Sequence, residues 1–92
     1  MPDTKLPMVR RLRCAAIDAD AEARSAAAKW PPFNSAHEGF AILLEEVDEL
    51  KAHVWTKQKN RDIAAMRREA IQVAAMALRF ATDVCNEDVG RR

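Results

Sequence analysis

The chain has only two glycines, no tyrosine and two cysteines, and each of these low counts limits the classes of protein to which it can belong. Because nearly half of the residues are apolar, many of them alanine, the composition favours close-packed helices over sheets. Cys14 and Cys85 lie far apart and form no Cys-x-x-Cys pair, so we expect two reduced thiols in a cytosolic protein. The sequence also contains no glycine-rich phosphate loop.

Charge and hydropathy exclude two further classes of protein. The formal net charge of +1 argues against a protein built chiefly to bind nucleic acid. Basic runs at residues 10–13 and 67–68 are typical of solvated helix faces. No apolar run approaches the ~20 residues that a membrane span needs, and no signal peptide opens the chain, so we expect a cytoplasmic protein without a membrane segment.

The length of 92 residues allows one domain at most. A chain this short buries only about 60–65 % of the surface that its unfolded form exposes, so three helices alone would be marginally stable. Association with other copies of the chain would supply the missing core. We therefore predict a single all-α domain over residues 1–92 that assembles into a helical-bundle homo-oligomer, with residues 1–7 and 86–92 flexible.

The first predicted helix covers about residues 8–29. Small and apolar residues recur there at three- and four-residue spacing, a pattern that suits close approach of helices. This stripe consists of Val9, Leu12, Ala16, Ala19, Ala23, Ala26 and Ala27. Pro31 excludes the α region for Trp30 and therefore ends the helix.

Two further helices follow. Ser35 and Glu38 form a capping box, so the second helix should begin at Ala36 and run to about Trp55. Its expected apolar face is Phe40, Leu43, Val47, Leu50 and Val54. After a polar turn over residues 56–60, the third helix is expected over about residues 61–85. Its expected apolar face is Ala65, Met66, Val73, Met76, Ala77 and Phe80.

Acidic residues interrupt the apolar faces of the last two helices. Glu46 and Glu49 are three residues apart and project side by side, while Glu69 falls in the middle of the third helix's apolar face with Gln72 beside it. A carboxylate in an apolar stripe is costly unless it has a partner, and a divalent cation is the usual one. If the two helices pack antiparallel, the four oxygen-bearing side chains converge on an Mg²⁺ site. A solvated acidic face is the alternative for Glu45, Glu46 and Asp48, but it does not explain Glu69.

These acids resemble a known signature. Residues 45–49 fit the pattern Glu-Glu-x-x-Glu, and residues 69–72 fit Glu-x-x-Asp except at the last position. The two patterns on successive helices are typical of the all-α nucleoside triphosphate pyrophosphohydrolases, the MazG-like superfamily. The stretches 30–39 and 69–80 look like a small branch of it associated with phages and mobile elements. The likeness covers about residues 27–84.

The resemblance implies a hydrolase that cleaves the α–β phosphoanhydride of (d)NTPs with Mg²⁺ or Mn²⁺, releasing the monophosphate and pyrophosphate. It implies four-helix bundles built from dimers or tetramers. Glu46, Glu49 and Glu69 match the metal-binding and catalytic positions, and Gln72 stands where the family has Asp. Because Gln72 offers a carbonyl oxygen without charge, the alternative is a non-catalytic relative that binds nucleotides or other proteins.

Other side chains are candidate substrate contacts. Trp30 and Phe33 could stack on a base, although a Trp-Pro-Pro-Phe corner is also typical of a plug at the end of a helical bundle. Arg79 lies on the Gln72 side of its helix and could meet a phosphate, and Glu45 adjoins the metal-binding acids. Glu49 and His53, four residues apart, offer a less favoured zinc-binding pair.

Overall fold

The computed structural model describes residues 7–92, and every regular element in that range is helical. The elements in chain order are α1 (Met8–Lys29), α2 (Ala36–Val54), a 3₁₀ turn (Gln58–Asn60), α3 (Ile63–Asp83) and the single-turn α4 (Glu87–Gly90). The predicted all-α class is therefore confirmed, with the ends of the three long helices within two residues of those expected. Most of the predicted flexible lead-in lies outside the described residues, and α4 lies within the tail that was expected to be flexible.

Side chains cap the long helices at the positions where the chain turns. Ser35 Oγ accepts a hydrogen bond of 3.1 Å from the backbone N–H of Glu38, as the capping box predicts. The Glu38 carboxylate reaches one residue further back than expected and accepts from the backbone N–H and the amide of Asn34. Asp62 accepts from the N–H of Ala65, so α3 begins directly after Asp62.

The central helix is α3, since both α1 and α2 pack against it. The buried core cluster consists of Phe33, Ala75, Met76 and Val84. Side chains from all three long helices pack on this cluster, among them Ala23, Ala26, Ile42, Leu43 and Phe80. Gly39 allows a close approach of α2, because a Cβ at that position would lie 2.9 Å from ring atoms of both Phe33 and Phe80.

The outward side of α2 carries an apolar stripe, defined by Phe40, Leu44 and Val47, which are 57 %, 43 % and 39 % exposed. The expectation that Phe40 and Val47 share the buried face is therefore wrong. Because Gly39 brings α2 closest to the core, the helix turns the side with Ile42 and Leu43 inward and leaves the stripe outside. Ala77 of α3 is likewise exposed rather than buried.

No helix within residues 7–92 has the length and apolar character that crossing a bilayer requires.

Candidate functional site

Three carboxylates from two helices meet where α2 packs against α3. Glu46 and Glu49 project from successive turns of α2, and Glu69 projects from α3. One carboxylate oxygen of each residue lies within 4.8 Å of one oxygen of each of the others. The structure thus brings together the three acids that the sequence singled out, and we call them the acidic cluster.

The protein itself leaves this negative charge largely uncompensated. Glu69 Oε2 is buried and has no hydrogen-bond partner among the described residues. Burial, and then the neighbouring Glu49 carboxyl group, raise the pKa of both Glu46 and Glu69 above the ordinary 4.5. The charges of His53 and Arg68 act in the opposite direction on the pKa of Glu69, but they do not reverse the rise.

The donor chemistry of the cluster fits a hard divalent cation. Three carboxylates supply oxygen ligands, and Gln72, half-buried one turn after Glu69 on α3, can add an amide oxygen. The buried and unpartnered Oε2 of Glu69 is the atom that gains most from a bound cation. Among the described residues no histidine or cysteine joins the cluster, and zinc sites are usually built from those ligands. The donor set therefore favours Mg²⁺ or Mn²⁺ over zinc.

The raised pKa values predict how stability depends on pH without metal. Because folding raises the pKa of Glu46 and Glu69, the folded state binds more protons than the unfolded state between pH 4.5 and the raised values. The free energy of unfolding should therefore be highest at the lower end of this window and fall as the pH rises through it. Thermal melts in EDTA at a series of pH values above 4.5 should show this loss of stability, and Glu69→Gln should make the loss smaller. Equal slopes for the wild type and Glu69→Gln would contradict this prediction.

A cleft of about 510 Å³ opens beside the acidic cluster, between the three long helices. The α1 wall includes Glu22 and Lys29, the α2 wall includes Glu46, and the floor on α3 includes Gln72 and Arg79. Glu46 belongs to both the cleft and the acidic cluster. A ligand in this cleft therefore lies in reach of a cation held by the cluster.

The corner between α1 and α2 closes one end of the cleft. Trp30 lines the cleft and is 64 % exposed, so its ring is accessible to a ligand. Phe33 also borders the cleft, but it is only 3 % exposed and belongs to the core, so it offers a ligand little of its ring. The two aromatic candidates thus differ in exposure: the ring of Trp30 is open to the cleft, and the ring of Phe33 is packed in the core at the edge of the cleft.

Arg79 fastens this corner to α3. Its side chain is 6 % exposed, and its guanidinium carbon lies 4.4 Å from the centroid of the Phe33 ring. The Nη2 atom donates to the carbonyl oxygen of Pro31 at 3.0 Å and lies 3.7 Å from the Asp83 carboxylate. Its Nε is buried without a partner among the described residues. Arg79 thus lines the cleft floor, and its contacts with Pro31 and Phe33 position the Pro31–Phe33 corner.

Three cleft residues on α1, Glu22, Ser25 and Lys29, were not predicted from the sequence. Glu22 and Lys29 are seven residues apart and share a helix face with Ser25 and Ala26, which also line the cleft. This i, i+3, i+4, i+7 pattern was present in the sequence, but the alanines suggested only a packing surface. Glu45, predicted as a substrate contact, is exposed and lines the α2 wall.

No protein-family model, curated protein or solved structure matches this chain.

Proposed function

We propose that the chain is a Mg²⁺-dependent nucleoside triphosphate pyrophosphohydrolase of the MazG-like type. The observation that carries this function is the acidic cluster at the edge of a cleft, with the buried Glu69 Oε2 unpartnered. A second support is the order of the acids, Glu-Glu-x-x-Glu on one helix and a Glu on the next. Glu46, Glu49 and Glu69 would hold the cation, with Mn²⁺ as a substitute for Mg²⁺.

The reaction needs little covalent chemistry from the protein. A water oxygen forms a bond to the α-phosphorus, and the bond from that phosphorus to the α–β bridging oxygen breaks. Pyrophosphate leaves with the electron pair of the broken bond, and the proton of the water passes to a carboxylate of the acidic cluster. A divalent cation, when bound, supplies charge neutralisation for the phosphates and makes water more acidic.

The cleft has room and groups for the rest of the nucleotide. Its volume of about 510 Å³ lies within the range of typical small-molecule sites. The exposed ring of Trp30 can stack on a base, and Lys29 on α1 provides a positive charge for a phosphate. Arg79 would act chiefly by holding the corner that carries Trp30.

Gln72 supports a second candidate function. It lines the cleft next to Glu69, and its amide carries no charge, so a cation there would be held by three carboxylates instead of four. A protein that keeps the cleft but binds metal weakly would be a nucleotide-binding or protein-interaction module without turnover.

Incubation of the full chain with each common dNTP and NTP in millimolar Mg²⁺ tests the enzyme function. We expect equimolar nucleoside monophosphate and pyrophosphate from at least one nucleotide, and none in EDTA. Release of orthophosphate would contradict α–β cleavage. Binding of nucleotides without any product would favour the non-catalytic module.

We also propose that a second copy of the chain covers the apolar stripe on α2. The stripe is a continuous exposed surface, because Phe40, Leu44 and Val47 follow one another at four- and three-residue spacing. Two copies related by a two-fold axis would bury this surface against itself and add the helices that a four-helix bundle needs. The partner would then supply core that a 92-residue chain lacks.

Replacement of Leu44 with Glu should therefore shift the protein towards the monomer and lower its melting temperature. The change puts a charge into each half of the proposed interface, at a cost of several kcal/mol if the site is fully desolvated. Sedimentation equilibrium across micromolar concentrations measures the effect. Ala27→Glu, at an exposed position on α1, is the control. A wild-type chain that sediments as a stably folded monomer would contradict the interface.

A further inference from the structure

A second, smaller cleft of about 330 Å³ adjoins the first, and Glu22 and Gln72 line both. Its other lining residues come from the same two helices, Asp18 and Ala21 on α1 and Arg67, Arg68 and Ile71 on α3. Gln72 thus lies at the border between a large cleft that contains Trp30 and a small cleft that contains two arginines. Glu69 precedes Gln72 by one helical turn, so the acidic cluster lies near this border.

The two arginines of the small cleft differ in their environment. Arg67 donates from Nη2 to the Asp18 carboxylate at 2.9 Å, which fixes its guanidinium and neutralises its charge. Arg68 is exposed and forms no salt bridge within residues 7–92. Its positive charge acts on the Glu69 carboxylate, which places it close to the acidic cluster. Arg68 is therefore the cation of the small cleft that is available to an anion.

We propose that the small cleft binds the pyrophosphate part of the substrate through Arg68, with Arg67 as a fixed neighbouring donor. This inference rests on the proposed function and adds the orientation in which the nucleotide lies across the two clefts. The nucleoside and its α-phosphate occupy the large cleft, the β- and γ-phosphates occupy the small cleft, and the scissile bond lies beside Gln72. Cleavage then leaves one product in each cleft. The affinity for each product should therefore depend on a different set of residues.

Charge and size agree with this division. Pyrophosphate is much smaller than a nucleoside monophosphate, and the cleft that contains the arginines is the smaller of the two. Arginine recognises phosphate oxygens with two parallel hydrogen bonds, which suits a terminal phosphate group. Glu22 opposes a bare anion in the small cleft, so pyrophosphate should bind there as its Mg²⁺ complex.

Titration calorimetry of the two product types tests the division without requiring turnover. The probes are inorganic pyrophosphate and each common deoxynucleoside monophosphate, all in millimolar Mg²⁺. Arg68→Gln should weaken pyrophosphate binding about tenfold or more, as expected for a lost charge-assisted hydrogen bond, and leave monophosphate binding within about twofold. Trp30→Ala should do the reverse. The control is Arg24→Gln, which removes the same charge from an exposed α1 side chain that pairs with Asp20 and lines neither cleft.

Each outcome bears on a different claim. If Arg68→Gln leaves pyrophosphate affinity unchanged, or weakens both products equally, the division between the clefts is wrong even when the wild type cleaves dNTPs. The same holds if the wild type binds no pyrophosphate. If no nucleotide is cleaved but pyrophosphate binding is lost only in Arg68→Gln, the pyrophosphate site stands and the proposed hydrolysis fails.

Discussion

Replacement of Glu69 with Gln should abolish the rise in melting temperature that Mg²⁺ gives the wild type, and should reduce pyrophosphate release at least about a hundredfold. Glu69 is the one carboxylate that α3 contributes to the acidic cluster, and its Oε2 is buried without a partner among the described residues. For a ligand at 100 times its Kd, the lost stabilisation is about 2.7 kcal/mol, which corresponds to a shift of about 10–20 °C in a domain of this size. The activity loss should be at least as large as the 10–100-fold that outer-shell partners of metals contribute.

The same variant should be more stable than the wild type in EDTA. Burial and Glu49 hold the pKa of Glu69 above its ordinary value, so the ionised carboxylate destabilises the metal-free fold at neutral pH, and a neutral amide removes this cost. Glu87→Gln, which removes an exposed carboxylate in α4, is the matched control and should change neither quantity. A wild type whose melting temperature does not respond to millimolar Mg²⁺ or Mn²⁺ would count against the cation site.

Local sequence signals predicted the helices, because their ends depend on neighbouring residues. Pro31 ended α1 at Lys29, and Ser35 began α2 at Ala36. α3 begins two residues later than the polar turn suggests, because the side chain of Asp62 caps the helix by accepting from the N–H of Ala65. Which side of a helix faces the core was harder to predict. Phe40 and Val47 fitted an apolar face, but the close approach at Gly39 turned them outward, and that contact involves Phe80, far away in the sequence.

In the candidate site too, features set by neighbouring residues could be predicted from the sequence, and features set by contacts between distant residues could not. Spacing of three residues predicted that Glu46 and Glu49 lie together, and the apolar surroundings of Glu69 predicted that it needs a partner. The clefts could not be predicted, because they arise where α1 and α2 pack on α3. The position of Arg79 also depends on Pro31, 48 residues earlier, so its role at the corner appears only in the folded chain.

Replacement of Gln72 with Asp should increase the affinity for Mg²⁺ on the order of tenfold or more and increase or broaden (d)NTP cleavage. Gln72 lies one turn after Glu69 and lines both clefts, so a carboxylate there would point to the same border as the acidic cluster. A charged oxygen binds a hard cation more strongly than an amide oxygen does. The substitution does not require α3 to move. Calorimetry with Mg²⁺ and the pyrophosphate-release assay with the full nucleotide panel measure the two effects. Gln58→Asp adds the same charge in the 3₁₀ turn and should change neither.

If the chain is a non-catalytic module, the same substitution should lower the stability of the protein instead of improving metal binding. Without a bound cation, the introduced carboxylate would be a further acid beside Glu46 and Glu69, whose pKa values are already raised by burial and by Glu49. The added repulsion would lower the free energy of unfolding at neutral pH, and the loss would shrink as the pH falls and the acids become protonated. Thermal melts of the wild type and of Gln72→Asp in Mg²⁺ therefore distinguish the two functions. For the hydrolase, millimolar Mg²⁺ should raise the melting temperature of Gln72→Asp more than that of the wild type. For the module, Gln72→Asp should remain less stable than the wild type in Mg²⁺ and release no pyrophosphate.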